Sequence, residues 1–212
     1  ALVVNGPKNW INLQKAGHPM ENCIRVEALR YLHLNKISSN CEKKGEHLGG
    51  NRRMLFLGDI QRGTTHRMLR LLEHVYEKIK IPYEVLIKPH PHNHIDLGKY
   101  PNLKAVKNVF SLEESLAMAD FAFSSVFTSA ELDAYCSGKP VINYLDPYDL
   151  NLSNLRGIEG TKFICTVEEF CEALEKIEFG EFEAGKPEDF FWLDPKLPRW
   201  ESLFGAKKTR KV

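Results

Sequence analysis

Two strand-like runs in this chain end in side chains suited to a phosphate. Tyr83–Lys88 closes in Lys88-Pro89-His90-Pro91, and Asp120–Phe123 closes in Ser124-Ser125 ahead of a helix pattern beginning near Thr128. Each proline removes an N–H and stops sheet pairing, which fixes His90 in a rigid turn at a strand end. An imidazole there can bond a phosphate oxygen or protonate a leaving group. Lys88 offers a cation at the same place, or is a solvated strand end. Ser124 and Ser125, with Thr128 and Ser129, bring hydroxyl donors to a helix start whose free N–H groups favour an anion. Thr128 and Ser129 also read as plain helix caps, and His90 as a histidine satisfied by backbone. Glu131 or Asp133 on that helix could bond a ribose hydroxyl, unless both simply line a solvated face.

Other constellations are weaker. His90, His92 and His94 alternate as zinc ligands on one strand face would, but Pro91 interrupts the strand and no cysteine is near. Asp96 is the one acid close in sequence that could complete such a site, so no metal is expected. Gly58-Asp59 with Arg62 and Thr64-Thr65 forms a further rim loop that could border a ligand. No G-x-G-x-x-G, P-loop or G-x-S-x-G occurs, so dinucleotide, ATPase and hydrolase readings have no motif behind them.

The elements that must position these residues alternate in type. Strands are expected at Met54–Leu57, Tyr83–Ile87, Leu103–Val106, Asp120–Phe123, Pro140–Tyr144 and Lys162–Cys165. Between them lie an apolar stripe at helical spacing (Met68, Leu69, Leu71, Leu72, Val75, Tyr76, Ile79), a helix over Thr128–Ser137 stopped at Gly138, and two capping boxes. Ser111-Leu112-Glu113-Glu114 starts one helix and Thr166-Val167-Glu168-Glu169 another. Such alternation predicts parallel β-α-β units, a Rossmann-like α/β sheet flanked by helices. Ligands in these sheets sit outside the carboxyl ends of the strands. Lys88–His94, Ser124–Ser129 and Asp146–Tyr148 are therefore expected on one rim.

The flanks differ. Ala1–Val4 reads as a buried strand, Lys8–Lys15 as a short helix, Cys23–Val26 as a strand and Glu27–Leu34 as helical. The polar, glycine-rich stretch from Lys36 to Arg53 reads as a linker. After Glu178, Phe190-Phe191-Trp192, Trp200 and Phe204 are too apolar for a disordered tail, so they should pack on this sheet or on a neighbouring domain. The expected division is 1–50 as the end of one domain plus linker, 51–180 as the nucleotide-binding domain, and 181–212 as a packing segment with a basic tail.

Composition sets bounds. The 212 residues carry a net charge of +1, so no whole-chain field calls for nucleic acid. The hydrophobic fraction of 43% supports a sizeable core. Five cysteines without a C-x-x-C favour a reducing compartment over a disulfide framework. No apolar run reaches the roughly 18 residues of a membrane span, and no signal peptide is present. The first residue is not Met, so the chain reads as part of a longer protein.

With those residues in place, the chain resembles bacterial GT-B glycosyltransferases that use CMP-activated sugars: sialyltransferases, polysialyltransferases and capsule Kdo transferases. Lys88-Pro89-His90-Pro91 is similar to their HP motif and Ser124-Ser125 to their SS motif. Val85–Pro147 looks especially like a family of surface-carbohydrate biosynthesis proteins, and Phe191-Trp192-Leu193-Asp194 followed by Leu197-Pro198-Arg199-Trp200 fits its C-terminal end. The resemblance implies the C-terminal half of a GT-B fold, holding a CMP-sugar through Lys88, His90, Pro91, Ser124, Ser125, Thr128, Ser129 and Glu131. His90 would assist departure of CMP, in an inverting transfer needing neither metal nor cofactor. The acceptor site and the general base would lie in an N-terminal domain outside this chain, so the chain alone is expected to bind a donor without transferring it. Nucleotide sugars are cytosolic, which implies a cytoplasmic enzyme, with peripheral association at the inner membrane face where glycan acceptors often lie.

Other readings remain open. A CDP-glycerol or CDP-ribitol phosphotransferase shares the serine pair before a helix. A UDP-N-acetylglucosamine epimerase-like protein is disfavoured by the absence of its glycine-rich phosphate turn. A non-catalytic module of a polysaccharide assembly complex would suit the aromatic segment Phe190–Phe204.

Overall fold

In the computed structural model, residues 1–35, 52–79, 83–158, 161–182 and 185–205 are described. The Lys36–Arg53 linker, but for its last two residues, and the basic run near the C-terminus lie outside them. The chain divides into two compact units, one built from its first and last stretches and the other from its middle.

The middle unit is a six-stranded sheet. Its strands are β3 (Arg53–Leu57), β4 (Glu84–Lys88), β5 (Ala105–Lys107), β6 (Phe121–Ser125), β7 (Val141–Tyr144) and β8 (Lys162–Ile164), in the order β5-β4-β3-β6-β7-β8. Every neighbouring pair is parallel. The order runs outward in one direction from β3 and in the other from β6, which is the doubly wound, Rossmann-like arrangement. The helices are α2 (Arg62–Lys78), α3 (Leu112–Met118), α4 (Ala130–Cys136) and α5 (Val167–Glu178).

Two-residue alternation decides what each face of the sheet buries. Phe56, Ile87, Phe123 and Ile142 share the face covered by α2 and α5, where Met68, Leu69, Leu72 and Phe170 meet them. Phe123 stands edge-on to Phe56 at 5.8 Å and to Phe170 at 4.9 Å. Alternation places Ser124 and Asn143 on the opposite face, the side on which α3 and α4 pack. The Met68–Val75 part of the expected stripe is buried, and Tyr76 and Ile79 pack against its edge. Both capping boxes form in full, at Ser111 with Glu114 and at Thr166 with Glu169.

The end of β6 departs furthest from expectation in its consequence. Ser124 and Ser125 are the last two residues of β6 and do not follow it, because they continue the ladder opposite Asn143 and Tyr144 of β7. The helix after them is correspondingly shorter than expected, starting at Ala130.

In the terminal unit, β1 (Leu2–Val4) pairs in parallel with β2 (Cys23–Arg25), with α1 (Pro7–Lys15) between them. Only Val4 of β1 is buried; Leu2 and Val3 are exposed, contrary to a buried strand. The helix expected over Glu27–Leu34 is absent as such, and Leu29–Tyr31 makes a single 3₁₀ turn. The cause is competition from far along the chain. The Ala28 N–H donates to the Trp192 carbonyl (2.9 Å), and the Glu27 carboxylate is engaged by α7 (Pro198–Gly205), which follows the short α6 (Pro187–Phe190). The aromatic segment packs here: Phe191 stacks on Tyr31 at 3.9 Å and Trp192 meets Trp10 edge-on at 6.3 Å. Gly6 permits this approach, since a Cβ there would sit 1.6 Å from the Phe190 carbonyl oxygen. No helix among the described residues is long and apolar enough to cross a membrane.

Candidate functional site

Strand order puts the topological switch between β3 and β6, where the loop after β3 and the turn after β6 leave toward opposite faces; open α/β sheets hold ligands in the crevice at such a point. Its floor is the carboxyl end of the sheet. β4 borders it on one side with Lys88–His90, and β7 on the other with Tyr144–Asp146.

The β3 wall is fastened to β4. The Gly58 N–H donates to the Lys88 carbonyl (2.9 Å), and a Cβ on Gly58 would lie 3.0 Å from the His90 nitrogen. Glycine here lets the turn carrying His90 close against the crevice. That turn is held by the Asn93 N–H donating to the His90 carbonyl (2.8 Å), while Asn93 Nδ2 donates to the carbonyls of Asp59 (2.5 Å) and Ile60 (2.8 Å). His90 is half-buried, and its Nδ1 accepts from the His92 N–H at 3.3 Å. The other ring nitrogen, Nε2, is the one this arrangement leaves for a ligand. Pro91 is exposed in the same turn. Lys88 turns aside, with Nζ donating to the Phe110 carbonyl.

The β6 wall carries the serine pair, and both side chains are buried. Ser124 Oγ donates to the Ser125 carbonyl (3.2 Å). Ser125 Oγ donates to Asp59 Oδ2 and accepts from the Phe127 N–H (3.4 Å). Asp59 is fully buried; its other oxygen accepts from the Gln61 N–H (2.6 Å) and its backbone N–H donates to Thr65 Oγ1 (2.9 Å). An Asp–Ser bond therefore spans the two walls. Thr128 Oγ1 accepts from the Ala130 N–H (3.4 Å), and Ser129 occupies the cap position in a helical conformation. Both are half-buried. Opposite Ser124 in the ladder stands Asn143, fully buried, whose side-chain nitrogen and oxygen have no hydrogen-bond partner among the described residues.

Glu131 lies apart from the crevice groups. It is fully buried, accepting from Ser153 Oγ (2.7 Å) and the Asn154 N–H (2.9 Å), and so ties α4 to the long loop after β7. The same loop is held from the other face by Arg67 of α2, whose Nε donates to the buried Asp146 at 2.6 Å. That bond holds the Arg67 guanidinium above its ordinary pKa. Behind the pair a cleft of about 390 Å³ opens between α2 and the start of α5, lined by His66, Arg67, Arg70, Tyr144, Cys165 and Thr166. Burial, then the cations Arg62, Lys99 and Arg70, push the His66 imidazole below its ordinary pKa.

The fold thus brings His90, Ser125 and Asp59 to one crevice. Lys88 borders the same region with its Nζ donating to the Phe110 carbonyl, whereas Glu131 lies apart, engaged by Ser153 and Asn154. Asn93 and Asp146 fall in stretches expected on the rim, but their partners Asp59 and Arg67, and the place of Asn143 opposite Ser124, carry no signal in the sequence because they lie far away along the chain. No group of three His, Cys, Asp or Glu side chains among the described residues is arranged to hold a metal ion.

No family model matches the chain, and no curated protein matches it. Among solved structures, the glycosyltransferase SnogD from Streptomyces nogalater is similar over 67% of this chain, with a TM-score of 0.42 and 17% sequence identity. The match spans 41% of that protein's chain, less than half its length. A likeness that slight carries no functional weight.

Proposed function

We propose that the sheet unit is the donor-binding domain of a glycosyltransferase, and that its donor is a CMP-activated sugar of the sialic acid or Kdo kind. The supporting observation is the topological switch itself, where Gly58 admits the His90 turn against the loop after β3 and the end of β6 lies alongside. The nucleotide lies across the carboxyl ends of β3 and β6, with its phosphate toward His90 and the turn Val126–Ser129. Thr128 and Ser129, half-buried at that turn, contact the phosphate or its bridging oxygen. Ser124 and Ser125 shape the wall behind it, and Lys88 and Pro91 hold the His90 turn. Glu131 fixes the β7 loop at the crevice edge.

In the reaction, an acceptor hydroxyl oxygen attacks the anomeric carbon from the face opposite the phosphate. The bond from that carbon to the phosphate oxygen breaks, and its electron pair leaves with CMP. His90 donates a hydrogen bond or proton to the departing phosphate. The acceptor's proton passes to a base supplied from outside this chain, and the configuration inverts. The chain by itself binds the donor and transfers nothing. Work at the cytoplasmic face of a membrane, on a surface polysaccharide, belongs to the same reading.

Calorimetric titration of CMP, CDP, UDP and GMP into the chain tests it. CMP-selective binding that is lost in His90→Ala is expected. A preference for CDP transfers the site to a CDP-glycerol or CDP-ribitol phosphotransferase, and silence toward every nucleotide leaves a partner-binding module.

A further inference from the structure

The cleft of about 390 Å³ between α2 and the start of α5 has no part in the donor reading. His66, Arg70 and His74 follow at helical spacing along one side of α2, and Arg67 stands beside them. Arg67 is fixed from behind. Its Nε donates to the buried Asp146 at 2.6 Å, and its Nη2 donates to the same carboxylate and to Thr64 Oγ1 (3.4 Å). A guanidinium has five N–H donors, so both N–H groups of Nη1 are left without a protein acceptor among the described residues. Arg70 gives Nη1 to Glu73 (2.7 Å) and lies over the Tyr100 ring at 5.1 Å; its Nε and Nη2 find no acceptor among the described residues.

The acids paired with these two arginines, Asp146 and Glu73, are buried, and neither lines the cleft. Glu169, at the start of α5, is turned back to accept from the Cys165 and Thr166 N–H groups (2.6 and 3.1 Å). The charges that act on His66, in the same wall, are all cations: Arg62, Lys99 and Arg70. A ligand entering the cleft therefore meets free guanidinium N–H groups and no carboxylate among the lining residues.

From this geometry we propose that the cleft is a second ligand site, taking a phosphomonoester about the size of a monosaccharide phosphate. Arg67 and Arg70 hold the phosphate, and Leu71, Tyr144 and Val167 wall the organic part. The site goes beyond the donor reading and does not rest on it. Guanidinium forks suit carboxylate and phosphate alike, but a phosphomonoester presents three terminal oxygens against two for a carboxylate. It therefore uses more of the N–H groups that the two arginines leave free. A bare phosphate fills only a small part of a cleft of about 390 Å³, a volume within the roughly 300–1,000 Å³ of small-molecule sites.

The test alkylates the full chain with iodoacetamide and reads Cys165 and Cys171 separately by mass spectrometry. Cys165 is half-buried in the cleft wall; Cys171 lies further along α5, is not a lining residue, and serves as the control. Glucose 6-phosphate is expected to slow Cys165 and leave Cys171 unchanged, inorganic phosphate to slow Cys165 more weakly, and glucose to have no effect. Arg70→Gln is expected to raise the glucose 6-phosphate concentration needed by on the order of tenfold, whereas His90→Ala leaves it unchanged. Should Arg70→Gln fail to fold by circular dichroism, the three ligands compared on the native chain still decide. Equal protection by inorganic phosphate and glucose 6-phosphate means an adventitious ion only and overturns the inference. Protection by glucose, protection by none of the three, or an unchanged requirement in a folded Arg70→Gln also overturns it. Protection lost in His90→Ala and kept in Arg70→Gln assigns the phosphate to the donor crevice, which overturns this inference and leaves the donor reading standing.

Discussion

Glu27 provides the sharpest stability test. Its carboxylate is fully buried and accepts from the N–H groups of Arg199 (3.1 Å) and Trp200 (3.2 Å) and from Arg199 Nη1 (3.0 Å). It thereby does for α7 what an N-cap side chain does, though it lies 172 residues earlier in the chain. Glu27→Ala leaves two helix N–H groups and a guanidinium without this acceptor. A hydrogen bond to a charged group contributes about 1.5–3 kcal/mol, and breaking a buried pair costs about 3–5 kcal/mol. The Arg199 side chain is 39% exposed and recovers water, which pulls the estimate down to about 3 kcal/mol. Glu27→Gln keeps one acceptor and should cost about half as much.

The acid dependence has a definite sign. Burial pushes the Glu27 carboxyl up, but the N–H groups of Arg199 and Trp200 and the Arg199 side chain together outweigh it and hold the pKa below the ordinary 4.5. A carboxyl lowered on folding stabilises fully above its unfolded pKa, and that stability is lost as pH falls through the folded one. The loss is therefore confined to pH below the ordinary value and disappears in Glu27→Gln. The assay is denaturant unfolding followed by tryptophan fluorescence, because all three tryptophans, Trp10, Trp192 and Trp200, belong to the terminal unit. A Glu27→Ala transition displaced by less than about 1 kcal/mol would refute the capping argument.

Two further outcomes follow from the sheet unit, both read by circular dichroism during unfolding. Arg67→Ala strands Asp146, whose side chain is 1% exposed, and should destabilise by about 2–3 kcal/mol once the 40% exposure of Arg67 is allowed for; Arg67→Lys should recover only part of it. Thr166→Ala removes one half of the α5 capping box and should cost about 1 kcal/mol, whereas no measurable change would mean that the Glu169 side chain alone caps the helix.

Features fixed by neighbours in sequence were legible before the structure. Ser111 with Glu114 and Thr166 with Glu169 announce helix starts because both partners lie within one turn. The Met68–Val75 stripe declares its buried face by period alone. Errors arose where a distant partner decides. Ser124 and Ser125 look like loop residues until β7 supplies Asn143 and Tyr144 to extend the ladder. Glu27–Leu34 has a helical pattern, but Trp192, Arg199 and Trp200 claim its polar groups. The site follows the same division. The strand-end turn that carries His90 could be read because its flanking prolines are local. The bond from Ser125 to Asp59 could not, since 66 residues separate them and no short motif records their meeting.

The most direct measurement on the central claim is a crystal structure of the chain grown with CMP. Nucleotide is expected between the Gly58–Gln61 loop and the Val126–Ser129 turn, with its phosphate within hydrogen-bond reach of His90. Nucleotide lodged instead in the cleft beside Arg67 and Cys165, or ordered density nowhere at the carboxyl rim under saturating CMP, would contradict it.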